Sequence, residues 1–225
     1  MAYFNIAIDG PAGAGKSTLA RALARELGFL YVDTGAIYRT VGLYVVRQGR
    51  DCSRAEEVIP LLPEIPIRMA SEADGMQHMY LDAEDVTEEI RQNHVSAYAA
   101  QVSAIPELRE FLLQMQRELA ETNNVVMDGR DIGTVILPNA DVKIFLTASA
   151  ERRAERRHLE LREKGMPVPF EQLLAEIRAR DEADCKRPVS PLQRTPDAVL
   201  LDTSDLNLDE SLCALLKIIK EKLEL

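Results

Sequence analysis

Nine consecutive residues, Gly10-Pro11-Ala12-Gly13-Ala14-Gly15-Lys16-Ser17-Thr18, match the phosphate-binding pattern G-x-x-x-x-G-K-[ST] at Gly10, Gly15, Lys16 and Ser17. Glycines let a backbone curl until successive N–H groups point at phosphate oxygens, and a helix starting there adds the positive end of its dipole. Lys16 adds a mobile full charge. Ser17 adds a hydroxyl that Mg2+ can take as a ligand while water and nucleotide oxygens fill its other positions. The pattern has meaning only between a strand and a helix. The apolar run 3–8 predicts the strand, and Leu19, Leu23 and Leu27, recurring every fourth residue up to Gly28, predict the helix.

Three further stretches carry residues that could meet an anion. Asp33-Thr34-Gly35-Ala36-Ile37-Tyr38-Arg39 follows an apolar run at 29–32, although Asp33 and Thr34 would also serve as plain helix N-caps. Asp128-Gly129-Arg130-Asp131-Ile132-Gly133-Thr134 follows the apolar run 125–127 and reads as a polar, glycine-bearing loop. Arg180, Asp181, Asp184 and Arg187 close a helix expected over 170–185, where ion pairing within the helix would be worth about 0.3–0.5 kcal/mol. A fourth cluster, Arg152, Arg153, Arg156 and Arg157, lies on a helix expected over 149–164. Arg153 and Arg157 share one helix face there. Glu151, Glu155, Glu160 and Glu163 could equally make it an ordinary charged surface.

These segments need elements to hold them. Strands are expected at 3–8, 29–32, 125–127, 142–146 and 198–201, alternating with helices, which predicts an α/β fold with a five-stranded parallel sheet and helices on both faces. The rhythm breaks between them. Ser53 and Glu56 have capping-box spacing for a short helix toward Leu62. Runs at 65–69 and 76–81 flank Asp74-Gly75, a turn signal for a β-hairpin. Helices follow at 93–104 and 106–121, the second with Leu108, Leu112, Met115 and Leu119 as its packing stripe. Asn207 and Glu210 approximate a cap for the last helix.

Composition limits the partners. The 225 residues suit one domain, 46% are hydrophobic and 28% charged, and the net charge of -10 repels nucleic-acid backbones and anionic membranes. No apolar run approaches the roughly 20 residues needed to span a bilayer, and the start of the chain has no secretory pattern, so a cytoplasmic location is expected. Cys52, Cys185 and Cys213 are too few and too dispersed for a disulfide framework or a zinc site.

A triphosphate-binding loop alone does not choose among switches, motors and kinases. No guanine-reading Asn-Lys-x-Asp segment occurs, and Asp128, placed where a motor ATPase holds an acidic residue, leads into Gly-Arg-Asp. Together the phosphate loop, the 33–39 stretch, the 128–134 stretch and the R-D-x-x-D-x-x-R run from Arg180 to Arg187 resemble bacterial cytidylate kinases, within the phosphate-loop nucleoside monophosphate kinases. The similarity covers nearly the whole chain. It implies phosphoryl transfer from ATP, with Mg2+, to CMP or dCMP, by a monomer that needs neither nucleic acid nor membrane. It also implies a core (about 1–62, 105–150 and 188–225), a monophosphate-binding insertion (about 63–104) and a helical lid (about 151–187).

Carried over by position, the resemblance gives residues 10–18 to ATP and Ser17 to Mg2+. Lys16, Arg130, Asp131, Arg153 and Arg157 become the residues at the reacting groups. Asp33, Thr34, Tyr38, Arg39, Arg109, Arg130, Asp131, Arg180, Asp184 and Arg187 become the CMP site. Within it, Arg39, Arg130 and Arg187 would hold the phosphate, Arg180 and Asp184 face the sugar, and Arg109 and Asp131 read the cytosine edge. Arg153 and Arg157 would close over the transferring phosphoryl group. Two positions depart from the family pattern. Thr34 stands where a serine is usual, and Ala99 and Ala100 stand where a base-contacting serine is often found, with Ser96 and Ser103 nearby. The alternatives are a related kinase for UMP or another phosphorylated acceptor, and a non-catalytic ATP-binding regulatory module.

Overall fold

Parallel pairing between segments from 55 to 136 residues apart builds the main sheet. In the computed structural model, which describes residues 3–71 and 77–223, strand β1 (Asn5–Asp9) leads through the glycine loop into helix α1 (Lys16–Leu27). Gly28 closes α1 in the left-handed conformation, and the short α1 carries its buried stripe Leu19, Ala20, Leu23 and Ala24 against the sheet. Strand β2 (Leu30–Asp33) and helix α2 (Thr34–Arg47) follow at once, with the Asp33 carboxylate accepting from the Ala36 N–H at 2.9 Å as a true N-cap.

The break in rhythm is where expected but is built differently. Helix α3 (Ala55–Val58) starts without a side-chain cap, because the Ser53 hydroxyl and N–H both donate to Asp51 Oδ1, at 2.7 and 2.9 Å. The capping box expected from Ser53 and Glu56 does not form. Strands β3 (Ile67–Ser71) and β4 (Gln77–Leu81) make the antiparallel hairpin; its Asp74-Gly75 turn lies outside the described residues. A two-residue strand, β5 (Glu84–Asp85), adds to β4. Helix α4 (Asn93–Val102) leads to helix α5 (Pro106–Thr122), where the buried set is Leu108, Arg109, Leu112, Gln116 and Ala120. Met115 and Leu119 are only half-buried, so the packed face is turned from the expected stripe and takes in a buried arginine.

Strand β6 (Val125–Gly129) runs into Asp131, after which residues 132–136 form a wide helical turn, closed by Leu137 N–H to Ile132 O at 2.7 Å, where a loop was expected. Strand β7 (Val142–Thr147), helices α6 (Ala150–Glu163) and α7 (Phe170–Lys186), strand β8 (Val199–Asp202) and helix α8 (Leu208–Leu223) complete the chain. Asn207 and Glu210 cap α8 reciprocally, at 2.9 and 2.8 Å.

The five main strands are all parallel in the order β2-β6-β1-β7-β8. One core, centred on Ile8, Leu23, Ile144 and Leu146, lies under α1 and α8. The other, centred on Ile37, Val41, Leu108 and Met127, lies under α2 and α5 and continues into the small antiparallel sheet. Because it is shared, the insertion is welded to the main sheet.

The weld is tightest where α2 meets α4. A Cβ added at Gly42 would lie 2.7 Å from Tyr98 Cβ and 3.0 Å from the Tyr98 carbonyl carbon, so only glycine admits this approach. Gly42→Ala is expected to overpack the contact and cost about 1–3 kcal/mol, lowering Tm by roughly 5 °C in a chain of this size. Thermal denaturation followed by circular dichroism checks this; an unchanged Tm would show that the helices part without cost.

Candidate functional site

The strand register decides which residues meet. Asp33 pairs across from Asp128, and Asp9 from Gly129, so the ends of β2, β6 and β1 open onto the same edge. Carboxyl ends of parallel strands are where open α/β sheets bind ligands.

At that edge the phosphate loop wraps a helix end. Gly10 has φ +153°, and a Cβ there would sit 1.9 Å from the Leu146 carbonyl oxygen, while Gly13 and Gly15 have φ of +72° and +88°. The loop therefore needs glycine at each of these positions. Lys16 is buried and donates to Pro11 O at 2.8 Å. Burial depresses its pKa, helped by the nearby Arg130 charge and opposed by Asp128, Asp9 and Asp184. Ser17 Oγ donates to Asp128 Oδ2 and the Tyr31 hydroxyl to Asp128 Oδ1, both at 2.9 Å. Burial raises the Asp128 pKa, with the Asp33 charge adding to it.

At the same edge is a cavity of about 360 Å3 whose walls come from the phosphate loop and from every segment expected to bind the acceptor. Arg39 donates to Asp33 Oδ2 at 2.9 Å, and Asp33 is itself gripped by Gln77, whose side chain accepts from the Asp33 N–H at 2.6 Å and donates to the Asp33 carbonyl at 3.3 Å. Thr34 donates to Asp128 O at 2.9 Å, so its hydroxyl fastens β2 to β6. Tyr38 lies below the Arg109 guanidinium, 5.4 Å from ring centroid to Cζ. Burial pushes the Tyr38 phenol up to about 12. Arg109 pairs with Asp131 and also donates to Ser103 O at 3.2 Å. Arg187 Nη2 stands 3.4 Å from the other Asp131 oxygen.

Arg130 Nε donates to Asp184 Oδ2 at 2.8 Å. Asp184 thus pairs across to β6's loop, whereas partnership with Arg180 one turn earlier was the plain expectation. Arg180 lines the same cavity, its pKa lowered first by burial and then by Arg130. The side of the cavity formed by α4 and its C-cap presents Ser96, Ala99, Ala100 and Ser103, with Ser103 Oγ donating to Ala100 O at 3.0 Å.

The two arginines expected to close over the reacting groups part company. Arg153, 4% exposed, donates to Ala12 O of the phosphate loop and to Asp181, each at 2.9 Å from Nη1. Arg157, one turn on, pairs with Glu160 at 2.8 Å and lies outside the acceptor cavity. The two share a helix face, and Arg153 meets α7 through Asp181.

Some members were hidden in the sequence. Gln77 and the Asp9 carboxylate, which accepts from the Ile132 and Gly133 N–H groups at 2.8 and 2.7 Å, act through pairings across the fold. Burial raises Asp9 to about 6 against the pull of those two donors. On the far side of the phosphate loop, a second cavity of about 210 Å3 is lined by Gly15, Thr18, Arg156 and the 203–208 segment, with Arg156 donating to Thr203 O at 2.6 Å. Its only signal was one arginine in a cluster of four.

Known proteins match this arrangement along its length. The cytidylate kinase family model matches residues 6–221. The chain is 50% identical to the cytidylate kinase of Caldicellulosiruptor bescii over 97% of this chain and 96% of that one. It is 46% identical to the cytidylate kinase of Shouchella clausii, again over 97% and 96%. The crystal structure of an uncharacterized protein from Eubacterium ventriosum aligns over 97% of this chain and 98% of that one with a TM-score of 0.52 at 13% identity, a likeness of fold alone. A match that runs from β1 into α8, at half the residues identical to a curated relative, makes the chain a member of the cytidylate kinase family.

Proposed function

We propose that the chain transfers the γ-phosphoryl group of ATP to CMP, and to dCMP, giving ADP and CDP or dCDP. One observation carries the reading: arginines from three distant segments, Arg39, Arg130 and Arg187, line a single cavity that also contains Lys16 of the phosphate loop. A donor cradle alone would serve any ATPase. Three guanidiniums facing it suit an acceptor that already bears a phosphate dianion, which planar forks grip in pairs.

In this reading residues 10–18 hold the ATP phosphates, and the second cavity beside Arg156 and Thr203 receives its base. Arg39, Arg130 and Arg187 hold the CMP phosphate. Arg180 and Asp184 reach the sugar, and Arg109 and Asp131 address the cytosine edge, where a carboxylate accepts from the exocyclic amine and a guanidinium donates to ring acceptors. The acceptor oxygen attacks the γ-phosphorus in line without a covalent intermediate. Lys16 and Arg130 offset charge on the phosphoryl oxygens, and Arg153 braces the loop from behind. Arg157 would reach the reacting groups only after α6 shifts.

The donor set beside Lys16 fits a hard cation. Ser17 Oγ and the Asp128 carboxylate supply oxygen close together, and no cluster of three or more metal-ligating side chains occurs among the described residues, which suits Mg2+ held largely by water and nucleotide. Mg2+ there would neutralise phosphate oxygens and align the chain being transferred. The main sheet with its flanking helices would act as core, residues 63–104 as the acceptor-binding insertion and 151–187 as a lid that excludes water when both substrates are present. In this reading the chain acts as a monomer on free nucleotides in the cytoplasm, and its net charge of -10 disfavours polyanionic partners; no helix among the described residues is long and apolar enough to cross a membrane.

A coupled assay with ATP and Mg2+ comparing CMP, dCMP, UMP and AMP is expected to show CMP and dCMP well ahead; equal rates across all four would defeat the cytosine assignment. With alanine at position 100 offering the base no hydroxyl, measurable UMP turnover is expected in that same comparison. Lys16→Ala and Arg130→Ala are each expected to lower kcat at least about 10^3-fold with the far-UV circular dichroism unchanged. Wild-type turnover in either variant would remove its assigned role. Chelation of divalent ions by EDTA should stop transfer, and added Mg2+ should restore it.

A further inference from the structure

We infer that Asp9 is a positioning residue for acceptor recognition, capping the 132–136 turn from outside so that the carboxylate of Asp131 stays available to the base. This rests on the cytidylate kinase reading above and names a residue for which that reading has no role.

Asp131 occupies the N-cap position of the turn, where an aspartate ordinarily turns its own carboxylate onto the exposed N–H groups of the first turn. Here it makes no such bond. Those N–H groups, on Ile132 and Gly133, donate instead to the two oxygens of Asp9, at 2.8 and 2.7 Å. Asp9 ends β1, immediately before the phosphate loop, and is 6% exposed. Asp131 is consequently turned into the cavity, one oxygen on Arg109 and the other 3.4 Å from Arg187.

The backbone bears the same signature. Asp131 has φ -143° and ψ 28°, between the helical and extended basins, and its ψ sets the direction of the Ile132 N–H that Asp9 accepts. Gly133 leaves the room required: a Cβ there would stand 3.3 Å from Asp9 Oδ2 and 3.2 Å from Lys143 Cδ. The charged groups around Asp9 are Lys16 on α1, Asp131 and Lys143 on β7. Of the three, only Asp131 is joined to Asp9's hydrogen-bond partners through the chain.

Without Asp9, two N–H groups in a buried position lose their acceptors, and the nearest replacement is Asp131's own side chain. That residue would then cap its turn and leave Arg109. The phosphate loop would keep its glycines, Lys16 and Ser17.

Steady-state kinetics with CMP, UMP and ATP on the wild type, Asp9→Asn, Asp131→Asn and the double variant test this. Asp9→Asn presents an amide N–H to one of the two donors, and is expected to raise KM for CMP about tenfold and lower the preference for CMP over UMP by a similar factor, with KM for ATP within about twofold. In the double variant KM for CMP should stay within about twofold of Asp131→Asn alone, because the two residues act in one chain of contacts. An unchanged KM for CMP, an equal rise in both KM values, or effects that multiply in the double variant would each overturn the inference. Should Asp9→Asn fail to fold, Gly133→Ala crowds the same contact and is expected to give the same split between the two KM values. A wild type that cannot phosphorylate CMP would instead defeat the cytidylate kinase reading itself.

Discussion

Three carboxylates end three neighbouring parallel strands, and the site is arranged around the need to satisfy each of them. Asp9, Asp33 and Asp128 close β1, β2 and β6 at one edge, and desolvation works against the charge of Asp9 and Asp128. Each has found different donors. Asp9 takes backbone N–H groups, Asp33 takes the start of α2 and Arg39, and Asp128 takes hydroxyls from Ser17 and Tyr31. The result is that segments leaving three strands are tied together by hydrogen bonds as well as by the apolar packing of Ile37, Ile132 and Ile136, and the polar groups line the cavity.

The same logic governs the arginines. In a chain of net charge -10, four of the five guanidiniums lining this cavity are held by carboxylates: Arg39 by Asp33, Arg130 by Asp184, Arg109 and Arg187 by Asp131. Such pairs keep cations in place in a half-buried cleft at small net gain, since desolvation offsets much of their attraction. In the proposed reading, a phosphate dianion entering the cleft would replace one carboxylate partner with a doubly charged one, an exchange for which the paired arginines are preorganised.

Legibility in the sequence followed the distance over which each contact is made. The phosphate loop and the α8 cap are local and could be read directly, as could the strand ends carrying Asp33 and Asp128. The Ser53–Glu56 spacing misled because Asp51, two residues back, competes for Ser53. Helical phase put Arg153 and Arg157 on one face but could not say that Asp181 would draw in Arg153 while Arg157 pairs with Glu160 on its own helix. Gln77 and Asp9 carry no motif; their partners are 44 and about 123 residues away in sequence and are set by how strands and hairpin register against each other. Arg109 was legible only through family resemblance, since by periodicity it is a charged residue on the buried face of α5.

The bond from Arg153 to the Ala12 carbonyl makes the α6–α7 hairpin a ligand of the phosphate loop. That bond gives the Ala12 carbonyl within the loop a charged donor. Occupancy and hairpin position are then linked quantities: whatever free energy a docked hairpin adds to nucleotide binding, bound nucleotide returns in full to hairpin docking. If the hairpin acts as the lid proposed above, the loop it binds is also the one proposed to hold the nucleotide, so sensor and latch would be a single element.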